Sequence, residues 1–151
     1  GRKWNAYHEK IRGIENNLVY KYEKKAGQII FPSREEFLFG LANSKISICV
    51  PSNITHPNIT GSISTITNRF LQSMASKCLI VGKVPHDMLH LFDYNPIVEI
   101  DEENPIAQIE SILSNFDVYI PLIEKNYEVV KNFHNWDNRV SQIEKHILNS
   151  K

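Results

Sequence analysis

Thr65, Arg69, Gln72 and Ser76 follow one another at intervals of four, three and four residues. On a helix that spacing brings them onto one face, opposite an apolar stripe of Ile66, Phe70, Met74 and Ala75. Just before them runs a loop, residues 51–63, that carries Asn53, His56, Gly61 and Ser62 and leads into Ser64. A helix start has unpaired backbone N–H groups and attracts anions, and a guanidinium one turn further on can grip a phosphate through two hydrogen bonds. The chemistry open to such a set is retention of a diphosphate. Amides around Gly61, Ser62 and Ser64, the Thr65 hydroxyl and Arg69 would meet the charge, and Gln72 would bond sugar hydroxyls. Lys83, directly after Gly82, is one more candidate cation. On an arbitrary helix a polar stripe is merely a solvated face, so the surrounding elements decide.

Ile46-Ser47-Ile48-Cys49-Val50 and Cys78-Leu79-Ile80-Val81 are short, apolar on both faces and closed by Pro51 and Gly82, as expected of parallel strands covered by helices. The spacing predicts a helix over residues 64–76 between them and a weaker third strand over residues 96–100. Trp4, Tyr7, Ile11, Ile14, Leu18 and Tyr22 recur every three or four residues and predict an opening helix. Residues 28–31 read as a short strand ended by Pro32. Ser33 and Glu36 then have capping-box spacing, and the helix they start is expected to reach about Asn43. Asn104-Pro105 starts another helix, with Ile106, Ile109, Ile112, Leu113 and Phe116 on its apolar side. Two more helices follow, one with Val118, Leu122, Ile123, Val130 and Phe133, the other with Trp136, Val140, Ile143 and Ile147. Alternating strands and helices imply an α/β fold, a Rossmann-like doubly wound parallel sheet ending in packed helices. Its ligands bind outside the carboxyl ends of the strands, where two candidate loops lie, residues 51–63 and Gly82-Lys83-Val84-Pro85-His86-Asp87.

The 151 residues, 42% of them hydrophobic, suffice for one domain spanning 1–151. The opening Gly1-Arg2-Lys3, with no initiator Met, reads as a piece of a longer chain. With 17 basic and 17 acidic side chains the net charge is zero, so nothing recommends a nucleic-acid or anionic-membrane partner. No apolar run approaches the roughly twenty residues of a membrane span, and no signal peptide is visible. Cys49 and Cys78 sit inside apolar runs, where reduced cysteine acts as a small hydrophobe, and the expected compartment is reducing cytoplasm. A phosphate-gripping Gly-rich loop with Lys is absent, and so is the three-glycine dinucleotide fingerprint. His56 and His86 lack partners at metal-ligand spacing, so no metal or other cofactor is expected.

The ordered set from Thr67-Asn68-Arg69-Phe70-Leu71-Gln72 through Ser73-Met74-Ala75 to Leu79-Ile80-Val81-Gly82 resembles the donor-binding segment of group 1 glycosyltransferases. It is most similar to the spore-maturation-type branch, whose pattern runs Thr, Arg, aromatic, Glu, then Met-Ala before a strand. Ser44 through Pro51 looks like that family's strand into the donor loop. The segment from Pro85 to Phe92 looks like its next helix, and His134, Trp136 and Arg139 resemble its carboxy-terminal aromatic signature. The resemblance covers about residues 31–147. It implies the carboxy-terminal half of a GT-B fold that binds a nucleotide-diphosphate sugar as donor. It also implies a retaining-type, metal-independent glycosyl transfer to an acceptor glycan, lipid or protein, with the amino-terminal acceptor domain missing. The family places two Glu residues about the helix start; here Ser64 and Gln72 stand there, which implies weaker ribose binding or altered base preference. A noncatalytic sugar-nucleotide-binding module is the alternative reading.

Overall fold

The computed structural model describes residues 4–16, 18–23, 25 and 28–149. Gly1-Arg2-Lys3 thus lies outside the described residues. The regular elements are α1 (Asn5–Ile11), α2 (Arg34–Ala42), β1 (Ile46–Cys49), α3 (Ser52–Thr55), α4 (Pro57–Thr60), α5 (Asn68–Ala75), β2 (Leu79–Gly82), α6 (Met88–Leu91), β3 (Val98–Glu99), α7 (Pro105–Ser114), α8 (Ile120–Phe133) and α9 (Trp136–Asn149). Two 3-10 turns, Arg12–Asn16 and Phe116–Tyr119, extend α1 and introduce α8.

The three strands form one parallel sheet in the order β1-β2-β3, with Cys49 opposite Gly82 and Val81 opposite Val98. A parallel sheet must be covered on both faces, and alternation along β2 serves both. Ile80 joins Cys49, Phe70, Met74, Met88 and Phe92 on one side. Leu79 and Val81 join Tyr7, Ile11, Ile100 and Ile112 on the other. Each side chain of this kind contributes roughly 1.5 to 3 kcal/mol on leaving water. On the first face α5 packs against α8; on the second, α1 packs against α7. Two polar pairs are matched inside the core. Ser73 on α5 donates to the Ser47 hydroxyl of β1 at 2.8 Å. Buried Asn126 on α8 donates to the Pro96 carbonyl at 2.9 Å and accepts from the Tyr94 hydroxyl at 2.8 Å.

The α/β class and the parallel sheet agree with the sequence reading, but only in coarse form. The strands are added in one direction, so the described residues contain no reversal of strand order, the feature of a doubly wound sheet. Residues 28–31 form no strand and run without regular structure beside α2. The opening helix stops at Ile11, and the Arg12–Asn16 turn carries the chain away, leaving Leu18 and Tyr22 off the helical stripe. The helix expected from Ser64 begins four residues later, at Asn68. The Ser33 cap is present, its side chain accepting from the Glu36 amide at 3.1 Å, and α7 starts at Pro105 as expected. Of the final helices, α8 packs but α9 buries no residue. Trp136 is 79% exposed, and Val140, Ile143 and Ile147 are open to solvent as well.

His134 joins those last two helices to the body. Its Nε2 meets the Leu91 carbonyl at 3.3 Å, and the Arg139 guanidinium lies 3.0 Å from Nδ1. With Nε2–H as donor and Nδ1 as acceptor, the neutral ring satisfies both contacts. Partial burial and the nearby guanidinium hold its pKa below the ordinary 6.5, although the Leu91 contact acts in the opposite direction. The folded state therefore resists a proton that the unfolded chain accepts. Stability is complete above pH 6.5 and declines as pH falls through the lowered folded-state value. Denaturant unfolding between pH 7.5 and pH 5 will show this decline, and His134→Asn will remove part of it; identical pH profiles for the two proteins would refute the assignment.

The tightest main-chain approach is at Gly82. A Cβ there would overlap the Cys49 carbonyl oxygen and lie 2.9 Å from its carbon, and backbone on both sides cannot give way. Gly82→Ala is expected to destabilise the fold by about 3 kcal/mol, read as a lowered denaturation midpoint. A change within about 0.5 kcal/mol, the range of ordinary surface substitutions, would contradict this packing.

Candidate functional site

Because the strands are parallel, their carboxyl ends lie along one edge of the sheet, and the chain leaves β1 there through Val50 and Pro51 into α3 and α4. The loop then turns at Gly61, which has φ of 57°, and runs extended to Thr67. Asp87, at the start of α6, accepts the Ile66 amide at 2.8 Å. That bond ties the segment to the start of α6, and Thr67, with φ of −99° and ψ of 159°, is the residue capping α5. The Thr67 side chain makes no capping hydrogen bond. Among the described residues no acceptor meets the Asn68 and Arg69 amides, so the start of α5 is open to an acceptor.

A cavity of about 1480 Å³ opens beside β1. At its carboxyl-end mouth it is lined by Ser52, Thr55, His56, Thr67, Arg69 and Gln72. The Arg69 guanidinium lies 5.2 Å from the centre of the Phe37 ring on α2, an arrangement that orients a cation without neutralising it. Among the described residues no carboxylate is within ion-pair distance of Arg69. Nearby, the Thr55 hydroxyl and His56 Nδ1 are 2.7 Å apart. Burial raises the pKa of the Cys49 thiol behind this wall, against lowering by the Ser47 and Ser73 hydrogen bonds and by Arg69. Cys49 is accordingly a neutral wall.

Of the residues singled out from the sequence, Arg69 and Gln72 share the cavity, one turn apart on α5. Gly61, Ser62, Ser64 and Thr65 do not line it. Gly61 and Ser62 are exposed in the turn and Thr65 on the irregular segment after it, and Thr65 precedes α5, so the four-residue stripe shortens to Arg69 and Gln72, with Ser76 as the carboxyl cap. Lys83 also lies apart from the cavity and pairs with Glu102 at 2.6 Å, which occupies its charge. The sequence reading singled out neither Ser52 nor Thr55 as a site residue, named Thr67 only as the opening of the family-like segment, and gave His56 no role beyond its place in the loop. The local signal available was the Pro51-Ser52 step directly after an apolar strand. Of the carboxy-terminal signature residues, Trp136 is exposed, whereas His134 sits at the junction of the last two helices.

Among the described residues no group of three or more His, Cys, Asp or Glu is placed to hold a metal ion, and no helix is long and apolar enough to cross a membrane. Cys49 and Cys78 are both buried thiols. No protein-family model, no curated protein and no solved structure matches the chain.

Proposed function

We propose that the cavity mouth binds the diphosphate of a nucleotide sugar and that the chain is the donor-binding part of a GT-B glycosyltransferase. The observation that carries this reading is the Arg69 guanidinium, without a carboxylate partner among the described residues, at the open start of α5 on the carboxyl edge of a parallel sheet. A diphosphate there would accept from the Asn68 and Arg69 amides and from the guanidinium. Gln72, one turn deeper, reaches hydroxyls. The same contacts would stabilise the charge that develops on the diphosphate as the glycosyl group leaves, an electrostatic form of catalysis that asks for no metal. The acceptor, and the domain that binds it, would complete the site. Two buried thiols suit a reducing, cytoplasmic setting.

The second reading, a noncatalytic sugar-nucleotide-binding module, is favoured by Gln72, which is neutral where the resembling family carries an acid. Donor hydrolysis or transfer, assayed with an acceptor domain supplied, separates the two.

Arg69→Ala is expected to weaken binding of the preferred member of a uridine, guanosine and adenosine diphosphate panel by roughly 1.5 to 3 kcal/mol in calorimetry, the worth of a charged hydrogen bond. Unchanged affinity, or no binding of any of the three to the parent chain, would overturn the proposal.

A further inference from the structure

We infer that His56 is a second cation for the diphosphate, formed as pH falls, so that the site holds a nucleotide sugar more tightly below neutrality than above it. The inference rests on the diphosphate reading above and adds the residue and the proton that regulate it.

The local chain fixes where this ring sits. Pro57 disfavours helical geometry at the residue before it, so α3 ends at Thr55, and His56 stands between α3 and α4 with φ of −141° and ψ of 54°. Its amide donates to the Ser52 carbonyl at 2.7 Å, and its carbonyl accepts from the Ile59 and Thr60 amides at 2.9 and 3.1 Å. The Thr60 hydroxyl donates to the same carbonyl at 3.1 Å. The backbone is thus held from both sides, and the ring is held by the Thr55 hydroxyl, 2.7 Å from Nδ1. Among the described residues nothing meets Nε2, and His56 lines the same cavity as Arg69.

Thr55 suits both charge states of the ring. Opposite a neutral imidazole its hydroxyl donates to Nδ1, which leaves the proton on Nε2. When the ring is protonated, the hydroxyl accepts from Nδ1–H instead and can donate to the Ser52 carbonyl, 3.4 Å away. Nε2–H is therefore a donor in either state, and protonation changes the charge behind it without turning the ring. A charge-assisted hydrogen bond is roughly twice as strong as a neutral one, so the gain on protonation falls to whatever anion meets Nε2.

The surroundings leave that anion to the ligand. Among the described residues no carboxylate lies within ion-pair distance of His56. Cys49, behind the wall, is a neutral thiol. Lys45 is turned onto the Phe116 ring at 5.0 Å, and His8, Lys21 and Glu23 line the cavity from the amino-terminal segment. Arg69 supplies one permanent positive charge, which leaves a diphosphate esterified at both ends half matched. Ligand and proton then bind together, and affinity rises as pH falls through the range in which histidine gains its charge.

Calorimetry of the whole chain with uridine, guanosine and adenosine diphosphate glucose tests this. These diesters keep their charge through the range, whereas a free terminal phosphate takes a proton at about pH 6. The preferred probe is expected to bind at least about fivefold more tightly at pH 6 than at pH 8. At pH 7, two buffers of different ionisation enthalpy should reveal uptake of roughly half a proton on binding. His56→Gln keeps a neutral donor of similar reach; it should bind equally at the two pH values and take up no proton, with an unfolding midpoint like that of the parent. Equal binding at pH 6 and pH 8 in the parent chain, or a pH dependence that persists in His56→Gln, would overturn the inference and leave the diphosphate reading standing. Absence of binding to all three probes at both pH values would overturn the two together.

Discussion

The close approach of β1 and β2 is the constraint on which the rest of this molecule depends. Gly82 has no side chain because the Cys49 carbonyl occupies its place, and the resulting register commits Leu79 and Val81 to one core and Ile80 to the other. With every residue of β2 buried, helices must cover both faces, and α5, the last helix between β1 and β2, has to return across the sheet. Its amino end then lies at the strands' carboxyl edge, beside the residues that leave β1. Arg69 is brought there by the same packing that buries Phe70 and Met74.

Charge is distributed so that this position matters. The chain has no net charge, and several of its cations are matched: Lys77 to Glu124, Lys83 to Glu102, Lys125 to Asp93. Arg69 instead lies against an aromatic ring. A guanidinium on a ring keeps its donors free at the rim. Next to open helix amides, it makes a local attraction for anions that the overall composition hides.

Much of the fold was legible because its signals are local. Apolar runs ended by Pro51 and Gly82 mark β1 and β2, Ser33 marks the start of α2, and Asn104-Pro105 marks α7. What was illegible depends on distant partners. The start of α5 at Asn68 rather than Ser64 goes with an Ile66 amide bonded to Asp87, 21 residues further on. Lys83 leaves the candidate site because of Glu102, a neighbour only once β3 is in place. The periodicity of the last helix was read correctly, but periodicity states which face is apolar and not what covers it; in α9 that face is exposed. Within the candidate site the helical spacing of Arg69 and Gln72 survives folding, whereas the loop residues Gly61, Ser62, Ser64 and Thr65, which have no periodic restraint, lie elsewhere.

The central claim is positional: a diphosphate binds at the mouth formed by the chain leaving β1 and the first turns of α5. Backbone amide chemical shifts, recorded while a nucleoside diphosphate is titrated in, test it directly. The account predicts saturable changes at Ser52, Thr55 and His56 and at Asn68, Arg69 and Gln72, with Gly61, Ser62 and Lys83 unmoved. Changes confined to Lys83 and its neighbours, or none at Asn68 and Arg69, would contradict it.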